Sequence, residues 1–271
     1  MGYKLSVITP VFNGIRFIEF CIRNVIEQNC ADTEHIIVDG GSTDGTVEII
    51  KQYAAGYSHL RWVSEQDRGQ SDAMNKGIGL ATGNILGFLN VDDYYEPDVL
   101  NWMLRRFAEL PEPSLLVGNC NMWGDDGKLL GVNKPAQLQL CKLLTGEESV
   151  FPFPINPSAY FYHKSLHNLI GMYNNDDHFS MDIDFILRAV ESTHTIYIDR
   201  PFGNFRHIEG TKTFQDILTG KADKRLNELI RTYRNKLGFK ERIQLISFIV
   251  FARTFIRLKR ASFYIHKLIV Q

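Results

Sequence analysis

Four polar clusters, each placed directly after a short apolar run, hold most of the side chains in this 271-residue chain that could do chemistry. They are Thr9 to Gly14, Asp39 to Gly45, Glu65 to Asp72 and Asn90 to Asp93. Asp92 and Asp93 are the most pointed pair, because adjacent carboxylates repel unless a cation, protein donors or water offset them. A divalent metal, Mg²⁺ or Mn²⁺, is the natural offset: Asp93 holds it by one oxygen while diphosphate oxygens and water fill the other positions. Taken alone, the same pair reads as an N-cap for a helix opening near Pro97. Asp182 and Asp184 begin a second helix, where capping accounts for both, and where a carboxylate near an acceptor hydroxyl would instead be a general base. His163 and His167 stand four apart with no third ligand, so they read as packing or surface histidines.

The elements that position these clusters alternate. Strands are expected near 4–9, 34–39, 60–64, 84–89 and 114–119, with helices over 14–28, 43–54, 71–81 and 97–109, the pattern of βαβ units and a parallel sheet. The helix over 43–54 is expected to be capped by Ser42 or Thr43, and the one over 97–109 to carry Pro97 in its first turn. All four clusters then fall at the carboxyl ends of strands, along one edge of the sheet, where open α/β folds bind ligands. From 120 to 160 the pattern loosens into a loop region beside the site, with a hairpin turn at Asp125-Asp126-Gly127. A helix over 181–192, a strand over 195–199 and a polar loop over 203–214 follow.

Several functions are excluded. No Gly-x4-Gly-Lys-[Ser/Thr] loop is present, and Gly77, Gly79 and Gly83 lie within and after a helix rather than before one, which disfavours nucleotide triphosphatases and Rossmann dehydrogenases. The four cysteines show neither zinc nor disulfide spacing. The chain opens at once into strand-like sequence, so a cytoplasmic protein is expected. A formal charge of −1 hides an asymmetry: residues 221–271 hold 13 Lys and Arg against 3 Asp and Glu, and the rest of the chain is acidic. An acidic body argues against nucleic acid as a partner. In the basic tail, Phe248, Phe251, Phe255, Leu258, Ser262, Ile265 and Ile269 form one apolar seam at helical spacing, with Arg253, Arg257, Arg260 and Lys267 opposite. That is a cationic amphipathic helix, suited to packing on its own domain, to dimerising or to a membrane surface at the inner face of the cell membrane.

Ser6-Val7-Ile8-Thr9-Pro10-Val11-Phe12-Asn13, Val38-Asp39-Gly40-Gly41-Ser42-Thr43-Asp44-Gly45-Thr46, Arg68 to Gly77 and Leu89-Asn90-Val91-Asp92-Asp93 match, in order, the motifs of the family 2 glycosyltransferases, which the chain resembles closely over 4–95. Met181 to Arg188 and Phe205 to Thr213 resemble them more loosely. The resemblance implies a GT-A fold: a Rossmann-like αβα sandwich with a mostly parallel sheet. Residues 1–220 would be the catalytic domain, with a nucleotide-binding half (1–119) and an acceptor-binding half (120–220), and 221–271 a helical extension.

It also implies roles. The donor would be a nucleotide-diphosphate sugar, with Pro10, Phe12, Asn13 and Asp39 at the base. A carboxylate can accept the imide N–H of uracil or thymine, so a UDP- or dTDP-sugar is expected. Arg68 would face the diphosphate, Asp72 would order the pocket, Asp92 would contact ribose or sugar, and Asp93 would carry the metal. Asp182 would be the catalytic base for inverting transfer to a glycan or lipid-linked acceptor in polysaccharide synthesis, with Asp184 as the alternative. Relatives often carry Arg-x-His in the loop over the diphosphate, whereas this chain has Arg206-His207 adjacent. Either His207 reaches the metal through a shifted loop, or Arg206 and Lys212 serve the diphosphate. A sugar-nucleotide nucleotidyltransferase would need a glycine-rich basic loop where Pro10-Val11-Phe12-Asn13-Gly14 stands, and a non-catalytic binding module would be expected to lack Asp93 or Asp182.

Overall fold

The computed structural model describes residues 4–177, 180–211, 214 and 219–269, with side chains to residue 261. The elements run β1 (Leu5–Val11), α1 (Ile18–Glu27), β2 (Thr33–Asp39), α2 (Thr46–Gly56), β3 (Leu60–Ser64), α3 (Gln70–Leu80), β4 (Ile85–Phe88), β5 (Tyr94–Tyr95) and α4 (Val99–Phe107). There follow β6 (Ser114–Gly124), β7 (Leu129–Asn133), α5 (Leu140–Leu143), β8 (Tyr160–His163), α6 (Leu166–Ile170), α7 (Met181–Ser192), β9 (His194–His207), α8 (Lys221–Lys236) and α9 (Phe239–Ile269).

One sheet in the order β3-β2-β1-β4-β8-β6-β9-β5, with β7 beside β6, carries the molecule. Strands β1 to β4 are parallel, as expected, and every residue of β1 and β2 is buried, because both faces are covered by helices. Side-chain alternation divides the core. Ile8, Ile36 and Val38 meet Met74 and Ile78 of α3, Phe185 of α7 and Tyr233 of α8 on one face. Leu5 and Val7 meet Cys21 and Val25 of α1 and Met103 and Phe107 of α4 on the other. The αβα sandwich follows. A Cβ on Gly77 would lie 2.3 Å from Ile8 Cγ2, so this glycine lets α3 approach β1 and has no ligand to cradle.

The second half is more ordered than expected. The hairpin turn lies where its residues place it, but β6 runs on to Gly124, and β8 inserts antiparallel between β4 and β6. The polar loop expected from 203 is strand as far as His207, because β9 pairs along β6 from Ser114 to Gly124. Its polar residues find partners inside: Asn204 Oδ1 accepts from Asn121 Nδ2 at 3.1 Å and from Trp123 Nε1 at 2.8 Å. His163 closes β8, where its Nδ1 accepts from Ser114 N at 3.0 Å, and His167 lies 2.9 Å from the Tyr162 hydroxyl, so both are packing histidines.

In the tail, Leu245 and Ala252 are buried and Phe248 packs edge-to-face on Phe151 at 6.0 Å. Part of the expected seam is thus spent on the body, while Phe255 and Leu258 stay exposed. The side chains of Ser262, Ile265, Lys267 and Ile269 lie outside the described residues.

Candidate active site

The loops after β1 and β2 are laced together before any ligand arrives. Asn13, held at φ 49°, donates its N–H to Ser42 Oγ at 2.7 Å and accepts Thr43 N–H on Oδ1 at 3.0 Å. Gly14 N–H reaches Thr46 Oγ1 at 3.0 Å and Ile15 N–H reaches Asp44 Oδ2 at 3.0 Å. This lacing displaces the expected helix start: Ser42 and Thr43 serve the loop, Asp44 Oδ1 accepts from Thr46 N, and α2 opens at Thr46. Helix α4 likewise opens at Val99, beyond Pro97.

Asp39 is fully buried, and its carboxylate is spent on the same turn. Oδ2 accepts from Gly41 N and Ser42 N at 3.0 Å each and from Ser64 Oγ at 2.6 Å, and Oδ1 accepts from Ser42 Oγ. The expected base-reading carboxylate is therefore turned inward. Asp67, which sequence reading left unassigned inside its cluster, lines the cleft instead. Its Oδ1 accepts from Gly69 N at 2.8 Å, and a Cβ on Gly40 would lie 2.5 Å from its Oδ2, so Gly40 leaves room for it.

The cleft encloses about 500 Å³ at the carboxyl ends of the strands, with Pro10, Phe12, Asn13, Asp67, Gln70 and Asp92 on its wall. Phe12 is 64% exposed there, an aromatic face open to a planar ligand. Arg68 and Asp72 sit at the rim as a pair, with Arg68 Nη2 3.3 Å from Asp72 Oδ1 and Lys76 Nζ 3.6 Å from Oδ2. Burial works against the charged form of Asp72, but the Arg68 hydrogen bonds and the Lys76 charge outweigh it and lower the pKa.

Asp92 and Asp93 divide sharply. Asp93, where the metal was expected, is fully buried: Oδ2 accepts from Asn90 Nδ2 at 3.0 Å and Asn156 Nδ2 at 2.7 Å, and Oδ1 from Arg206 N at 3.1 Å. Burial, reinforced by the neighbouring Asp92 charge, pushes its pKa up. It braces the site from behind. The carboxylate that opens on the cleft is Asp92, which accepts no hydrogen bond from another described residue. Its pKa is raised by burial and drawn back by Arg206. Asn156, which the sequence placed only in a proline-rich loop, is the missed brace.

Arg206 binds the Asp92 carbonyl through Nε, and its guanidinium lies over Phe20 at 5.0 Å and Phe17 at 5.5 Å. Its Nη2 is buried with no acceptor, an orphaned donor on a cationic group. His207 does not complete a preformed metal group: its ring packs on Phe205 at 4.5 Å, burial lowers its pKa, and no three His, Cys, Asp or Glu gather among the described residues. Lys212 lies outside the described residues. A divalent cation nevertheless fits Asp92, since hard cations are commonly held by one or two carboxylates with phosphate oxygens and water completing the shell.

Asp182 stands at the first turn of α7, where Oδ1 accepts from the Tyr160 hydroxyl at 3.2 Å. Ser71 Oγ reaches Asp177 O at 2.9 Å and Met181 Sδ at 2.8 Å, which ties the start of α7 to the start of α3, beside cleft residue Gln70. Asp184 is committed elsewhere: it accepts from Arg188 Nε and the Tyr233 hydroxyl, each at 2.8 Å, and so anchors α8.

Residues 6–153 match the model of the family "Glycosyl transferase family 2". A PGL/p-HBAD biosynthesis glycosyltransferase of Mycobacterium bovis is 33% identical over 186 residues, 68% of each chain. Among solved structures, S. aureus TarS superposes with a TM-score of 0.61 at 16% identity, covering 92% of this chain, which spans about half of TarS (49%). Its 1–349 portion in complex with UDP-GlcNAc gives 0.59 at 18% identity, covering 90% of this chain and 79% of that one. The mannosyltransferase PcManGT from Pyrobaculum calidifontis, in complex with GDP-Man and Mn2+, gives 0.57 at 16% identity over 94% of this chain and 83% of its own. The fold is therefore of the GT-A type, and the chain belongs to the family 2 glycosyltransferases.

Proposed function

We propose that this protein transfers a sugar from a UDP- or dTDP-linked donor to a glycan or lipid-linked hydroxyl, with inversion at the anomeric carbon. The observation that carries the reading is the Asp92 carboxylate on the cleft wall at the ends of the strands, with Arg206 bound to its backbone carbonyl and the Arg206 charge acting on it. Phe12 offers its ring to the base, Asp67 accepts the pyrimidine imide N–H, and Asp39 acts through the turn it holds. Arg206, joined from the rim by Arg68, donates to diphosphate oxygens. Asp72 keeps Arg68 and the α3 entrance in place.

Asp182 takes the proton of the acceptor hydroxyl as that oxygen attacks the anomeric carbon. The bond from that carbon to the diphosphate oxygen breaks, and the electron pair leaves with the nucleoside diphosphate. One base and one displacement invert the configuration. A divalent metal on Asp92, once bound, supplies positive charge against the departing diphosphate. The GDP-Man and Mn2+ complex of PcManGT and the UDP-GlcNAc complex of TarS support a metal and a nucleotide sugar in such a cleft.

Calorimetric titration with UDP, dTDP, GDP and CMP, with and without Mn²⁺, tests this. Binding of a pyrimidine diphosphate that Mn²⁺ strengthens, and that Asp92→Asn reduces by about tenfold or more, is expected. Equal binding with and without metal, or a preference for GDP, contradicts the assignment.

A further inference from the structure

The tail shows a second apolar stripe that the body leaves uncovered. Phe239, Ile243, Ile246 and Val250 follow one another at steps of four, three and four residues along α9, and are 80%, 54%, 60% and 59% exposed. At 100° per residue they lie roughly opposite Leu245 and Ala252, which face the body and are buried. Continued at the same helical steps, the stripe becomes Arg253, Arg257 and Arg260, all exposed. Arg253 is paired with Glu147 at 3.2 Å, while Arg257 and Arg260 make no ion pair among the described residues. From Arg242 to Gln271 the sequence contains no Asp or Glu.

We infer that this face of α9 is a docking surface for an anionic phospholipid bilayer, on which the helix lies parallel to the membrane plane. Apolar side chains in line with a run of arginines suit the boundary between acyl chains and headgroups, where each cation meets a lipid phosphate. The charge distribution favours this occupant. The acidic body is repelled by such a surface, so only the basic tail is drawn to it. A second copy of the chain in a parallel two-fold contact fits less well, because Arg257 and Arg260 would then lie against their own counterparts. No helix among the described residues is long and apolar enough to cross a membrane, so docking is peripheral. The inference stands on the helix itself, and for the transferase reading it supplies a reason for a lipid-linked acceptor.

The test is sedimentation of the full chain with vesicles of phosphatidylcholine alone or mixed with phosphatidylglycerol, with light scattering and UDP binding measured on the same samples. The protein should sediment with the anionic vesicles and lose that binding in high salt. Ile246→Ser with Val250→Ser should weaken vesicle affinity about tenfold, and Arg257→Glu with Arg260→Glu should do the same for anionic vesicles only. Both variants keep UDP binding, since they touch only exposed tail residues. Failure of the wild type to sediment while it still binds UDP overturns docking and leaves the transferase reading intact. A dimer that dissociates in the Ile246, Val250 variant also overturns it, assigning the stripe to a second copy. Sedimentation without nucleotide binding upholds docking and contradicts the transferase.

Discussion

Two carboxylates next to each other in sequence do different work, and the reason is their hydrogen bonds. Asp93 meets three protein donors in a buried setting, so Asp93→Ala strands Asn90, Asn156 and the Arg206 N–H and should cost about 2–4 kcal/mol of stability, read as a lowered urea midpoint. Asp92→Asn should leave that midpoint nearly unchanged. The sequence marks the pair as chemically charged, but which member faces the cleft depends on Asn156, which arrives from 63 residues away. Asp39 is turned inward while Asp67 lines the cleft for the same reason: the donors that consume Asp39 include Ser64, on a different strand. Tyr160 is a third long-range partner. Its hydroxyl fixes one oxygen of Asp182, so Tyr160→Phe should lower kcat about three- to tenfold with KM little changed. Loss confined to KM would make the contact merely structural.

Elements were legible where periodicity is local. Strands β1 to β4 and helices α1 to α4 lie close to the positions that their apolar spacing dictates, and α2 starts later, at Thr46, whose N–H bonds Asp44 in the preceding turn. Strands β8 and β9 were harder to read, since β8 is a short antiparallel insertion and β9 carries polar residues whose partners come from β6 and from the segment Asp92 to Glu96. The contact between α3 and β1 decides how the cluster that opens α3 reaches the cleft. Gly77→Ala would push a methyl into Ile8, and a destabilisation of about 1–3 kcal/mol is expected by thermal or chemical denaturation. An unchanged midpoint would mean that the helix can back away from the sheet at little cost.

Across the whole molecule, one buried carboxylate binds the parallel part of the sheet together. Glu34 on β2 accepts from Ser6 Oγ at 2.7 Å, Thr82 N at 2.7 Å and Arg61 Nη1 at 2.7 Å, linking β1, β3 and the turn before β4. Burial alone would raise its pKa, but these donors more than offset it and hold the pKa at about 2, below its ordinary 4.5. A depressed carboxylate contributes stability above its unfolded pKa and loses that contribution as pH falls through the folded one. Glu34→Gln should therefore cost about 2 kcal/mol at neutral pH, with the gap to the wild type closing as pH falls from 4.5 toward 2. A gap that stays constant with pH would remove the charge from the explanation. At this scale the basic character of the tail was readable from charge alone, whereas the uncovered face of the tail was not, because the body decides which stripe it covers.

Sugar transfer in the cleft is proposed to use Asp182 as its base. The most direct measurement compares Asp182→Asn with the wild type in the same preparation, recording nucleotide-sugar binding by calorimetry and transfer to acceptor by product formation. The account predicts donor affinity within about twofold of the wild type and transfer reduced by about 10²-fold or more. Transfer at the wild-type rate, with binding intact, would contradict it.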